Sequence, residues 1–240
     1  MKYFNWTNVR LIGMFGLVLF LFSFTSKRNE SRKLRKSEVI FVGENNVFVT
    51  NEVVNKLLIE NKSDANTIRK DKVDLNKLEK SINEQEMIEK SEVFVSIDGV
   101  LKAVVKQKTP IARVFDESGS FYIDYKGNRM PLSDHYTARV PIVSGSIDDK
   151  NRKEISELFQ MIHDDAFLKK NIIGVQILPL GNIKMMNRNF DYEIDFGKTI
   201  NMERKFSNYK AFFQKAVLDS SINKYKKISL RFTQQVVCTK

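Results

Sequence analysis

One cysteine, Cys238, and two histidines, His135 and His163, leave this chain of 240 residues short of the side chains that build metal sites and nucleophilic centres. A single cysteine excludes an internal disulfide framework and any multi-cysteine zinc site. It leaves the compartment open, because a disulfide-free domain is permitted on either side of a membrane. His163-Asp164-Asp165 carries ligand-type atoms, but N/O metal sites need further contributors, and the run reads as a polar helix end. Gly-x-Ser-x-Gly elbows, phosphate-binding glycine loops and dinucleotide fingerprints are missing, and Ser144-Gly145-Ser146 reads as a turn. No catalytic residue, metal ligand or cofactor is implied, so a non-enzymatic protein is expected. No internal repeat or low-complexity tract is seen either.

What is present suits packed cores. Hydrophobic residues make up 42% of the chain, with 18 phenylalanines, and the length accommodates one large domain or two ordinary ones. The formal charge of +11 resembles a nucleic-acid signal until it is localised. Residues 1–38 hold eight Lys/Arg against two acids, whereas the remainder holds 32 against 27, mixed along the sequence. No basic stripe results, and neither nucleic acid nor a small-molecule substrate is expected.

Leu11 to Phe24 is an uncharged apolar run of 14 residues. Spanning helices need about 20, and a signal-peptide core is shorter. Phe4, Trp6 and Val9 extend the run upstream, Arg10 can snorkel, and the nearest cleavage candidate, Ser23-Phe24-Thr25, is poor. A single uncleaved span over residues 10–26 is therefore expected after a short cytoplasmic tail, 1–9; a cleaved signal is the alternative. Six Lys/Arg follow in residues 27–36, part of a basic linker at 27–38. Taken literally, the positive-inside rule would leave the large domain in the cytoplasm.

Beyond the linker, Val39 to Val42 reads as a short strand. Thr50 is placed to cap a helix from about Asn51 to Glu60, with Val53, Val54, Leu57 and Leu58 at helical spacing. A polar stretch, Asn61 to Lys72, precedes a second helix opened by Asp74 with Leu75, Leu78, Ile82 and Gln85 on one face. Val93, Val95 and Ile97 then alternate, Asp98-Gly99 turns the chain, and Leu101, Ala103 and Val105 alternate back. A three-residue loop with Gly99 near the left-handed region would put both apolar sets on one face. The segment 39–109 thus reads β-α-α-β-β.

After Pro110 the chain turns to short strand-like pieces, Ile111–Phe115, Ser120–Tyr125, Asn128–Leu132 and Ala138–Val143, punctuated at Ser118-Gly119 and Lys126-Gly127. Asp148-Asp149 opens a helix with Ile155, Leu158, Phe159 and Ile162 on one face. Strands resume around Gly174–Leu180, Asn182–Met186 and Phe190–Gly197. A further helix near Glu203 to Leu218 shows Phe206, Tyr209, Phe213 and Val217. The fold class expected is α+β: an N-terminal transmembrane helix, a β-α-α-β-β domain, and a mainly antiparallel β domain with two helices over 110–240.

The chain's last residues, Lys226 to Lys240, alternate. Ile228, Leu230, Phe232, Val236 and Cys238 fall on one side, broken by Gln234; Ser229, Arg231, Thr233, Gln235 and Thr239 fall on the other, broken by Val237. Period two describes a half-buried edge strand, and Cys238 reads as a small core residue. An edge is either a liability to be blunted or a docking site.

Val105, Pro110, Ile111, Ala112, Ile123, Asp124, Gly127, Pro141 and Gly145, in that order and spacing, resemble the motifs of the bacterial cell-division FtsQ/DivIB family. Gln107 stands at the usual acidic position and Val140 replaces a leucine. The resemblance covers the layout of nearly the whole chain. It implies a polypeptide-transport-associated (POTRA) domain over 39–109 and an inner-membrane, single-pass type II topology with the bulk of the chain periplasmic, at the division septum. It also implies docking of the FtsB–FtsL pair on the final strand, where Leu230, Arg231 and Phe232 match the family's Leu-Arg-Tyr.

The docking residues so implied are Lys227, Ser229, Arg231, Phe232, Thr233, Gln235 and Val237, with backbone pairing by strand addition supplying the affinity. On this reading the chain stops soon after the strand, which keeps the edge open. Phe232 remains open between core and contact. No position aligns with the family's upstream contact arginine; Arg188 lies nearby without matching a motif. Two other classes stand beside this reading: a POTRA component of polypeptide transport or outer-membrane assembly, and a membrane-anchored extracytoplasmic enzyme using His135 or His163.

Overall fold

A computed structural model of the chain describes residues 6–30, 32–43, 46–59, 64–116, 119–148 and 150–240. Phe4, residues 60–63, Ser118 and Asp149 lie outside the described residues. The fold is α+β, with an N-terminal apolar helix and a mostly β domain carrying further helices. It divides into two compact units, 1–107 and 108–240.

The first unit opens with α1 (Trp6–Glu30), of which Trp6–Arg28 is long and apolar enough to cross a membrane. It continues through β1 (Lys36–Val42), α2 (Asn51–Leu58), α3 (Leu75–Asn83), β2 (Ile88–Val95) and β3 (Val100–Gln107). The sheet order is β1-β3-β2, parallel between β1 and β3 and antiparallel between β3 and β2. Val54, Leu58, Leu78 and Ile82 of the two helices bury against Val93, Leu101, Ala103 and Val105 of the sheet. Fully burying an apolar side chain of this kind contributes about 1.5–3 kcal/mol.

Local chemistry fixes the ends of these elements. Thr50 and Asp74 cap α2 and α3 by accepting from Val53 N–H and Lys77 N–H. Between β2 and β3, Ser96 N–H donates to the Val100 carbonyl at 2.9 Å and closes a loop of three residues, 97–99, with Gly99 at φ +84°. Ile97 is not part of the alternation: it sits in this loop and is 96% exposed. The expected linker, 27–38, overlaps regular elements at both ends. Residues 27–30 belong to α1, and β1 begins at Lys36, three residues before the expected strand.

The second unit runs β4 (Pro110–Asp116), β5 (Gly119–Asp124), β6 (Arg129–Met130), β7 (Ile142–Ser144), α4 (Arg152–Asp164), α5 (Ala166–Asn171), β8 (Ile172–Ile177), β9 (Ile183–Asn187), β10 (Glu193–Gly197), α6 (Met202–Leu218), β11 (Lys227–Ser229) and β12 (Val237–Thr239). Its sheet order is β12-β11-β10-β9-β8-β7-β4-β5-β6. Pairing is mixed, parallel at β4–β7, β7–β8 and β10–β11 and antiparallel elsewhere. One helix was not expected: α5, capped by Asp165, which accepts from Phe167 and Leu168 N–H.

A single row of apolar side chains crosses this sheet in register. Val114, Val143, Val175, Met185, Ile194 and Ile228 lie side by side on successive strands and end at Cys238 on the edge. Ile155, Leu158, Phe159 and Ile162 of α4 and Phe206 and Tyr209 of α6 join the same core. Val217 does not; it is exposed, and Ala216 takes the buried position.

The final stretch departs from its sequence reading. It is a hairpin, not one strand. β11 lies inside the sheet, parallel to β10 and antiparallel to β12. Residues 230–236 form the connection, and the three-residue β12 is the edge.

Candidate functional site

The motif residues shape turns and junctions. Val105 is fully buried in β3, and Pro110 opens β4, where a missing N–H is tolerated at the start of a strand. Ala112 is also fully buried. The buried Asp124 carboxylate accepts from Lys126 N–H at 3.0 Å and Asn128 N–H at 2.7 Å, closing the β5–β6 turn. Gly127 there has φ +81°, and a Cβ on it would meet Ser156 Oγ at 2.5 Å. The Pro141 carbonyl accepts from Arg113 N–H at 2.9 Å. Gly145, at φ +101°, sits where a Cβ would lie 2.2 Å from the Ile177 carbonyl oxygen. Gln107, at the motif's acidic position, is 3% exposed. Its Oε1 accepts from Phe48 and Val49 N–H at 2.9 and 3.2 Å, and its Nε2 donates to the Val49 carbonyl at 2.8 Å.

The final hairpin is organised by a carboxylate that the sequence patterns did not single out. Asp195 of β10 is buried on the face opposite the apolar row. Arg231 Nε donates to its two oxygens at 3.0 and 2.9 Å, and Lys227 Nζ stands 3.1 Å from Oδ2. Burial alone would raise the Asp195 pKa; the hydrogen bonds and charges of Arg231 and Lys227 outweigh it and hold the carboxyl below its ordinary value. Leu230 N–H donates to the Asp195 carbonyl at 2.9 Å, the last rung before the chain leaves the ladder.

Pairing of β10 with β9 shifts register between Asp195 and Gly197. Gly197, at φ +73°, packs so closely under Arg231 that a Cβ would meet its Cγ at 3.0 Å. From α6, the 4%-exposed Lys205 donates to the carbonyls of Phe196 and Lys198 at 2.9 and 2.7 Å and tethers this irregular segment. Burial lowers its pKa, the Arg231 charge lowers it further, and Asp195 opposes both.

The expected docking residues therefore divide. Lys227 and Ser229 lie in an interior strand, with their backbones inside the sheet. Arg231 is turned inward to Asp195. The Thr233 carbonyl accepts from Asn208 Nδ2 at 3.0 Å, so Thr233 belongs to the connection and not to a ladder. Phe232 is 53% exposed, which removes its core reading. Gln235 is exposed as well, and Val237, at 41% exposure, is the one member on the edge strand. Together Phe232, Gln235, Val237 and Thr239 give a mixed apolar and polar surface along the rim.

His163 Nδ1 lies 3.1 Å from Asp164 Oδ1, whose other oxygen accepts from Tyr125 OH at 2.7 Å. Among the described residues no group of three His, Cys, Asp or Glu is placed to hold a metal ion.

The model of the family described as "FtsQ/DivIB, C-terminal related" matches residues 109–239, just over half of the chain. Among solved structures, the chain is similar to the major extracytoplasmic domain of the trans isomer of the bacterial cell-division protein DivIB from Geobacillus stearothermophilus. The two share 18% identity over 48% of this chain and 98% of that one, with a TM-score of 0.35. No curated protein matches the chain.

Proposed function

Because this chain belongs to the FtsQ/DivIB C-terminal related family of cell-division proteins, we propose that it is a membrane-anchored, non-catalytic scaffold whose second unit docks FtsB-like and FtsL-like partners at the β12 edge. The observation that carries this reading is the edge itself: a nine-stranded sheet ends on β12 beside the exposed Phe232. In this reading α1 crosses the inner membrane once, the two units lie in the periplasm at the septum, and the first unit is a POTRA domain that recruits the protein.

The geometry refines how docking would work. A three-residue edge offers few unpaired backbone groups, so strand addition alone supplies only part of the affinity. Side chains on the connection supply the rest, with Phe232 as the apolar anchor. An added strand would extend the row that ends at Cys238, so the partner residue facing Cys238 is apolar and its neighbours, facing Val237 and Thr239, are polar or amphipathic.

A binding titration of the full-length chain in detergent against the periplasmic segments of FtsB and FtsL tests this. Val237→Pro should weaken binding at least about tenfold by altering the edge, while Ile142→Ala, at an exposed side chain of β7 away from that edge, leaves it unchanged. Equal binding by the chain and Val237→Pro, or no binding by the unaltered chain, would remove the edge as the docking site.

A further inference from the structure

Residues 27–36 hold six Lys/Arg against one acid, Glu30, directly after the apolar core of α1. The fold does not leave them on a tether. Lys70 N–H donates to the Arg32 carbonyl at 2.9 Å, and Lys33 bridges antiparallel to Arg69. Leu34 is 1% exposed and its N–H donates to the Ile68 carbonyl at 2.9 Å; Arg35 N–H donates to the Gly99 carbonyl at 2.8 Å. These backbone bonds bring a second basic segment, Arg69–Lys72, beside the first, and the Lys70–Lys72 turn lies against α1.

The cations are presented outward. Arg32, Lys33, Arg35, Lys36 and Lys72 are exposed and Lys70 is half-buried. Local acids offset only part of the charge. Asp71 pairs with Arg69 at 2.8 Å, Glu38 stands 3.7 Å from Lys36, and Asp98 lies within the field of Arg35. Arg32 follows Arg28 by four residues, at most about 14 Å of chain. The cluster therefore stands within about one to two Debye lengths of the plane where α1 would leave the bilayer.

We propose that this collar binds the headgroups of anionic phospholipids in the leaflet from which α1 emerges, holding the base of the first unit against the membrane surface. The proposal rests on α1 being a membrane span, which extraction by alkaline carbonate checks separately. It accounts for positive charge that is at odds with the positive-inside rule for a periplasmic domain: the charge is built into a folded surface that faces lipid.

Native mass spectrometry of the full-length chain, released from micelles containing phosphatidylglycerol or phosphatidylcholine, tests it. The unaltered chain should retain phosphatidylglycerol at least about tenfold over phosphatidylcholine, with the preference falling as salt rises and unaffected by inorganic phosphate. Arg32→Gln/Arg35→Gln/Lys70→Gln/Lys72→Gln should lose the preference. Lys90→Gln/Lys102→Gln/Lys106→Gln/Lys215→Gln, which removes the same charge elsewhere, should keep it. Equal retention of the two lipids, a preference insensitive to salt, displacement by phosphate, or equal loss in both variants would overturn the proposal. The salt titration needs no variant and decides the matter even if the quadruple substitution unfolds the unit.

Discussion

Arg231 reaches back from the end of β11 to Asp195 on the neighbouring strand, its Nε 3.0 and 2.9 Å from the two carboxylate oxygens. Through this contact and that of Asn208 Nδ2 with the Thr233 carbonyl, the connection 230–236 is tied down while Phe232 remains outside. The arginine that sequence reasoning assigned to a partner is engaged within the chain itself.

Asp195→Asn should loosen the hairpin. Arg231 and Lys227 are half exposed and rehydrate readily, so the loss is about 1–2 kcal/mol, less than for a fully buried pair. Hydrogen exchange of 227–231 reports it. The sign with pH follows from the depressed carboxyl: its contribution is complete above the ordinary aspartate value of 3.8 and is lost as pH falls through the lower folded value. Protection of this segment should therefore fall more steeply below about pH 4 in the unaltered chain than in Asp195→Asn.

Two glycines at positive φ separate backbone strain from collision. Gly181, at φ +74°, has open space where a Cβ would go; Gly145, at φ +101°, has the Ile177 carbonyl oxygen at 2.2 Å. Gly181→Ala should cost about 1–2 kcal/mol, from the left-handed backbone alone. Gly145→Ala should cost about 3 kcal/mol or more, because main chain has to move. Denaturant unfolding followed by circular dichroism distinguishes them.

Gln107→Glu restores the acid usual in the motif and should still destabilise this chain. The amide accepts from two N–H groups and donates to the Val49 carbonyl; a carboxylate keeps the first role and loses the second in a buried site. The expected cost is about 1–3 kcal/mol, seen as a lower thermal midpoint.

Phe232→Ala should leave the fold nearly unchanged, since the ring is 53% exposed, and should weaken partner binding by about tenfold or more. A titration paired with a thermal scan checks both halves. A large drop in thermal midpoint would mean that the ring serves the chain's own packing.

Local chemistry was legible in the sequence where the partners are close. Thr50 and Asp74 as caps, the three-residue loop with Gly99, and the buried faces of α4 and of Phe206 and Tyr209 in α6 all follow from interactions within a few residues. A strand and a hairpin share a period of two, so alternation alone does not distinguish them. The alternation continues in sequence from Ile228 to Cys238, yet Leu230 makes the last ladder bond and the chain bends back. Nothing local marks that bend: Asp195, which Leu230 and Arg231 contact at its start, lies 36 residues upstream of Arg231. α5 escaped notice since six residues are too few to show a helical period.

Hydrogen exchange of the full-length chain, with and without the periplasmic segments of FtsB and FtsL, tests the central claim most directly. Docking at the edge predicts new protection confined to 230–239, strongest at Val237–Thr239, with 129–130 at the other end of the sheet unchanged. Protection that appears elsewhere while 237–239 exchanges as before would contradict it.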